Sequence, residues 1–283
     1  MLPNSMISRP TDLVDFDSPP VTEVVLGVQF NSLERFLSPH LGVVWSEFKE
    51  EFPIVEEHPY LPPTFETFGT PAAFMIPSVN FQIVTRPEML RVHLLNEQKT
   101  QLLQVQRDRF LHNWRKVGSG DNYPRFERMI ETFESGFRKF TDVISREELG
   151  PVVPNQCEVS YFNQIPIPDG ETIWSQLALT FPDCASNATI EGLGAPEDAR
   201  FALRYIVPAA DGSALGRVAI AAEPARRTDG VTIIQFTLTA RGKPATADMK
   251  GALEFLKNGR VLLNRAFKKL TSAEMQKRWG KKQ

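Results

Sequence analysis

Cysteine is nearly absent: Cys157 and Cys184 are the only two in 283 residues. That excludes a disulfide-stapled scaffold and fits a reducing, cytoplasmic setting. Histidine is scarce too, at His40, His58, His93 and His112. None stands at a familiar zinc spacing from another His, Cys, Asp or Glu, and His58, after Glu56 and Glu57, reads as part of a solvated loop. No apolar run approaches the roughly 18 residues of a spanning helix, so no membrane association is expected. The opening MLPNSMISRPTDLVDFDSPP lacks the basic and apolar regions of a signal peptide. Neither charge is in excess, and a net charge of −2 does not suit the whole chain to generic polyanion binding. A P-loop is missing, because GSGDNYPR (118–125) has no Lys-Ser/Thr pair. The dinucleotide fingerprint and the G-x-S-x-G elbow are missing as well. No catalytic residue, metal or cofactor is therefore assigned, and a non-enzyme is favoured.

What is present is an ordinary apolar fraction of 42%, enough to build a core without staples. VTEVVLGVQF (21–30) is rich in β-branched residues and predicts a strand, with Val24, Leu26, Val28 and Phe30 on one face and Glu23, Val25, Gly27 and Gln29 on the other. LGVVWSEFKEEF (41–52) predicts an amphipathic helix stopped by Pro53. Residues 53–80 are Pro-rich, with short strands expected around 65–68 and 73–76. Residues 81–110 read as strands with a hairpin near Gln98–Lys99, which sets His93 opposite Gln104. Residues 122–145 repeat Phe126, Ile130, Phe133, Phe137 and Phe140 at three- and four-residue steps, predicting a long helix with a wide apolar face. The second half runs in the same order: strand 157–165, short helix 172–181, strands 199–208, 216–225 and 230–242, and long helix 247–270.

That order has a faint counterpart in the residues. FRKFTDVISREEL (137–149) lies over NRAFKKLTSAEMQ (264–276), and TEVVLGVQF over CEVSYFNQI. The expectation is an α+β chain of two tandem helix-grip-like units, each a curled antiparallel sheet around a long C-terminal helix. TATA-binding-protein-like and Bet v 1-like folds have this arrangement. An arm at 1–18 would precede units at 19–150 and 151–283, joined at the Gly- and Pro-containing GPVVP (150–154).

Three blocks, PPVTEVVLGVQF (19–30), QVQRDRFLHNWRK with YPRF following (104–126), and AFKKLTSAEMQKRWG (266–280), also resemble a sporadically distributed bacterial family of roughly this length. The resemblance spans nearly the whole chain. It implies no known chemistry or substrate, and it implies a defence-related or mobile-element gene setting.

The densest functional candidate is VQRDRFLHNWRK (105–116). Strict alternation places Gln104, Gln106 and Asp108 on one face and Arg107 and Arg109 on the other, with Gln29 and Glu23 joining the first set. On the plain structural reading this is the solvent side of a one-sided sheet. Asp108–Arg109 would then be an ion pair, Asn113 a turn former and Trp114 an anchor in the core. On the functional reading the polar face is a shallow site. Glu23, Gln29, Gln104, Gln106, Arg107, Asp108, Arg109, His112, Asn113, Trp114 and Arg115 would hold a partner protein or small ligand there or in a cleft between units. Two alternatives stand beside it. One is a nucleic-acid factor using Arg107, Arg109, Arg115 and the basic C-terminus, where residues 241–283 carry twelve Lys/Arg against three Asp/Glu. The other is an enzyme without a familiar motif, with Asp108 and His112 foremost. Phe36, Leu37 and Trp279 could serve a homo-oligomer interface or the core.

Overall fold

The alternation in Val24, Leu26, Val28 and Phe30 does what a half-buried strand requires: all four are at most 1% exposed, under the helices. The computed structural model describes residues 13–69, 90–185, 188, 190–209 and 211–282. Among these it is a mixed α+β fold with nine strands in one antiparallel sheet and five helices. The strands are β1 (Val21–Phe30), β2 (Ile54–His58), β3 (Arg91–Leu95), β4 (Gln101–Gln106), β5 (Arg109–Arg115), β6 (Pro154–Pro166), β7 (Phe201–Pro208), β8 (Ala214–Arg226) and β9 (Thr232–Gly242). The helices are α1 (Ser38–Phe48), α2 (Phe126–Arg146), α3 (Ile173–Thr180), α4 (Met249–Leu270) and α5 (Ala273–Arg278).

The sheet order is β2-β3-β4-β5-β1-β6-β9-β8-β7. β1 and β6 pair antiparallel at its centre, Leu26 opposite Val159, so backbone hydrogen bonds run unbroken from one half to the other. The long helices pack on one face. Phe110 of β5 meets the rings of Phe133, Phe137 and Phe140 from α2 and Phe48 from α1 at 5.3–6.4 Å. Close packing of α4 needs a glycine, since a Cβ on Gly259 would stand 3.1 Å from the Ala240 side chain.

The periodic helices and the second-half strands form where expected, and His93 is paired with Gln104. Four differences follow from contacts that no local pattern encodes. Residues 13–18, expected as part of an arm, are packed: Phe16 is 5% exposed against Phe267 and Trp279, and Asn264 pairs with the Val14 backbone. Residues 54–58 form edge strand β2, and α5 adds an unexpected helix capped by Ser272. Residues 65–68 lie in no strand. The expected strand at 73–76, the first part of 81–110 and residues 1–12 of the arm lie outside the described residues. Phe36 and Trp279 belong to the core, whereas Leu37 is 59% exposed.

Candidate binding site on the polar sheet face

A two-residue turn decides the site. β4 ends at Gln106, β5 starts at Arg109, and these two residues are paired across the ladder. Paired residues share a face, so the Arg107–Asp108 turn resets the alternation and brings Arg109 onto the face of Gln104 and Gln106. Unbroken alternation had placed it on the opposite side. Arg109, Leu111 and Asn113 then lie beside Gln29, Gly27 and Val25 of β1, and Gln156 and Glu158 of β6 come next.

These polar groups are interlocked. Arg91 Nη1 donates to Gln104 Oε1 at 2.7 Å, Gln104 Nε2 to Asn113 Oδ1 at 3.0 Å, and Asn113 Nδ2 to Glu23 Oε1 at 2.6 Å. Arg109 Nη2 donates to Gln29 Oε1 at 2.7 Å, and Gln29 Nε2 to Asn155. On the β6–β9 side Arg241 Nε donates to Glu158 Oε2 at 2.8 Å, while Ser160 Oγ donates to Glu158 Oε1.

The face is not open to solvent, as a one-sided sheet would leave it. After β2 the chain crosses it as a strap, residues 59–69, held by side chains of the sheet. Tyr60 Oη donates to Asp108 Oδ2 at 2.5 Å. Gln106 Oε1 accepts from Leu61 N, and Gln106 Nε2 donates to Leu61 O. Gln29 Oε1 accepts from Thr64 N, and Arg109 donates to Pro62 O. Farther along, Glu66 pairs with Arg217 at 2.8 Å and lies 3.6 Å from Arg241. Arg217 also donates to Thr67 O and stacks over Phe68.

Sheet and strap together bound a cavity of ≈ 300 Å³. Its polar lining is Glu23, Gln29, Gln104, Asn113, Gln156 and Glu158, with the guanidiniums of Arg91, Arg109 and Arg241. Burial, and after it the neighbouring Arg109 charge, lowers the proton affinity of Arg91; burial is also the largest influence lowering that of Arg109. Burial, then the hydrogen bond to Asp108, pushes the Tyr60 hydroxyl up to about 12. Arg91 Nε and Gln156 Oε1 are buried without a partner among the described residues.

Of the eleven candidate residues, Glu23, Gln29, Gln104, Gln106, Asp108, Arg109 and Asn113 meet on this face. The expected Asp108–Arg109 ion pair is replaced: Asp108 accepts from Tyr60 and Gln106, and Arg109 turns into the cavity. Asn113 is not a turn former but a buried mid-strand bridge. Arg107 sits in the turn near the Tyr60 ring. His112 and Trp114 are on the helix side, buried, with Trp114 against Tyr123 at 5.4 Å. Burial holds the His112 imidazole down to about 4, and the sheet separates it from Asp108. Arg115 lies six residues along β5 from Arg109, about 20 Å at strand rise, and bonds Lys99 O.

Residue-by-residue reading missed Arg91, Gln156, Glu158, Arg241, Tyr60 and Glu66. One signal was available, since the TEVVLGVQF/CEVSYFNQI overlay sets Glu158 in the place of Glu23. It missed a second cluster also. With 54–58 a strand rather than a loop, Glu56 and His58 meet His93, their ligand atoms within 4.8 Å of one another. Comparison with protein-family models, curated proteins and solved structures finds no match. No described helix is long and apolar enough to cross a membrane.

Proposed function

We propose that the chain is a non-enzymatic binding module whose polar sheet face holds a small ligand with an anionic group. The carrying observation is the strap-covered cavity, in which Arg91 Nε and Gln156 Oε1 are buried donor and acceptor groups without partners among the described residues. Such groups are rare in native proteins and carry a desolvation cost unless something pairs with them. The Arg109 charge opposes that of Arg91, which a bound carboxylate or phosphate would relieve. Gln156 Oε1 suits a hydroxyl or amino donor on the same ligand. The volume is at the lower end for ligand pockets, so the ligand is metabolite-sized.

The fold reading behind this proposal is two tandem helix-grip-like units, 19–150 and 151–283, in a TATA-binding-protein-like arrangement. It is supported by the order β2-β3-β4-β5-β1 in one half and β6-β9-β8-β7 in the other, each half closed by a long helix. The ligand would then lie across the β1–β6 seam of two units within one chain.

Thermal shift and calorimetry test the ligand reading, using small carboxylates and phosphates with the wild type and Arg91→Leu. At least one compound should stabilise the wild type and leave Arg91→Leu unmoved. If no compound shifts the wild type, and native mass spectrometry of protein from its host shows no bound molecule, the ligand reading fails. Salt-sensitive retardation of DNA or RNA, lost on replacing Arg107 and Arg115, would favour the nucleic-acid alternative instead.

A further inference from the structure

Outside the cavity, a cluster of chemically competent side chains lies on β2, the outermost described strand on its side of the sheet, and on β3 beside it. Glu56 and His58 are two residues apart on β2, so both project to the same side. His93 is directly opposite Glu56 on β3. His58 Nε2 is 3.4 Å from Glu56 Oε2, and the His58 and His93 rings stack with centroids 3.8 Å apart. His93 Nε2 is buried and has no hydrogen-bond partner among the described residues. His58 and Glu56 are about one-third exposed, which leaves an approach from solvent.

We propose that Glu56, His58 and His93 form a three-ligand site for a divalent transition ion of the zinc class, open at its fourth position. Two imidazoles and one carboxylate are a ligand set that zinc accepts, with bonds of about 2.0–2.2 Å. A tetrahedral ion with such bonds separates its ligand atoms by about 3.3 Å. The atoms here lie within 4.8 Å of one another, so rotamer adjustment on two adjacent strands closes the shell. The strand ladder fixes the three Cα positions, so only side chains have to move.

The site has a place in the fold. His93 stands opposite Gln104 across the ladder, and Gln104 continues by hydrogen bonds through Asn113 to Glu23 in the cavity wall. The ion would also tie the residue that precedes the strap, His58, to the neighbouring strand β3 through His93. It would act as a clip at the root of the strap, and its presence does not depend on the cavity ligand.

The test uses full-length protein stripped with chelator and titrated with Zn²⁺ by calorimetry and with Co²⁺ by visible absorption. One ion per chain is expected, with the intense d–d bands of four-coordinate cobalt. His58→Ala changes a partly exposed residue and should abolish stoichiometric binding while keeping the wild-type circular dichroism spectrum. No binding at one equivalent overturns the proposal. So does binding that His58→Ala and His93→Ala both leave intact, because the ion would then sit elsewhere.

Discussion

Glu66→Gln isolates what holds the strap on the sheet. Glu66 is 13% exposed and Arg217 10%, so their 2.8 Å contact is shielded from solvent, and Arg241 adds a second cation at 3.6 Å. Glutamine keeps the shape and removes the charge. A hydrogen bond to a charged group contributes about 1.5–3 kcal/mol, against about 0.5–1.5 for a neutral one. Arg241 retains Glu158 and Arg217 retains Thr67 O, so neither guanidinium is stranded. The expected loss is about 1–1.5 kcal/mol, confined to strap opening, or about a tenfold larger open population. Two amides report it, because among the described residues Leu61 N and Thr64 N bond to the side chains of Gln106 and Gln29. In hydrogen exchange read by mass spectrometry, the peptide over 60–69 should exchange about tenfold faster in Glu66→Gln. Amides of β1 and β6, bonded strand to strand, should keep their rates. Unchanged exchange in 60–69 would refute the clasp. Equal acceleration in β1 and β6 would refute the claim that the strap opens independently of the sheet.

The core and the pH dependence carry two further predictions. Phe110→Ala removes the ring that meets four other phenylalanines and should cost about 3–5 kcal/mol in urea unfolding; a loss below about 1 would remove Phe110 from the centre of the core. Burial lowers the His112 imidazole to about 4 in the folded chain against 6.5 unfolded. Between those values the unfolded chain binds the extra proton, so this contribution is intact above pH 6.5 and declines as pH falls toward 4. By pH 5 the loss is about 2 kcal/mol, and His112→Gln should flatten the stability–pH curve by that amount. An unchanged curve in the variant would show that His112 is not the group responsible.

The sequence by itself determined the long helices, most strands and which polar residues of β1 and β4 share a face. Period-3.6 phenylalanines specify α2, and alternating apolar residues specify β1 and the inward side of the sheet, because burial of one face is a local pattern. Gln29, Glu23, Gln104 and Gln106 share a face for the same reason of parity. Parity also misplaced Arg109, because nothing in QRDR marks a two-residue turn by glycine or asparagine. Trp114 and His112 are chemically suggestive in sequence but fall on the helix-facing parity of β5. Only the tertiary structure brought Arg91, Gln156, Glu158 and Arg241 to the same cavity, laid the strap across it, and joined Glu56 and His58 to His93. Those contacts link residues tens to hundreds of positions apart. They depend on strand order and on where an aperiodic, Pro-rich segment comes to rest, and neither is written in any local period.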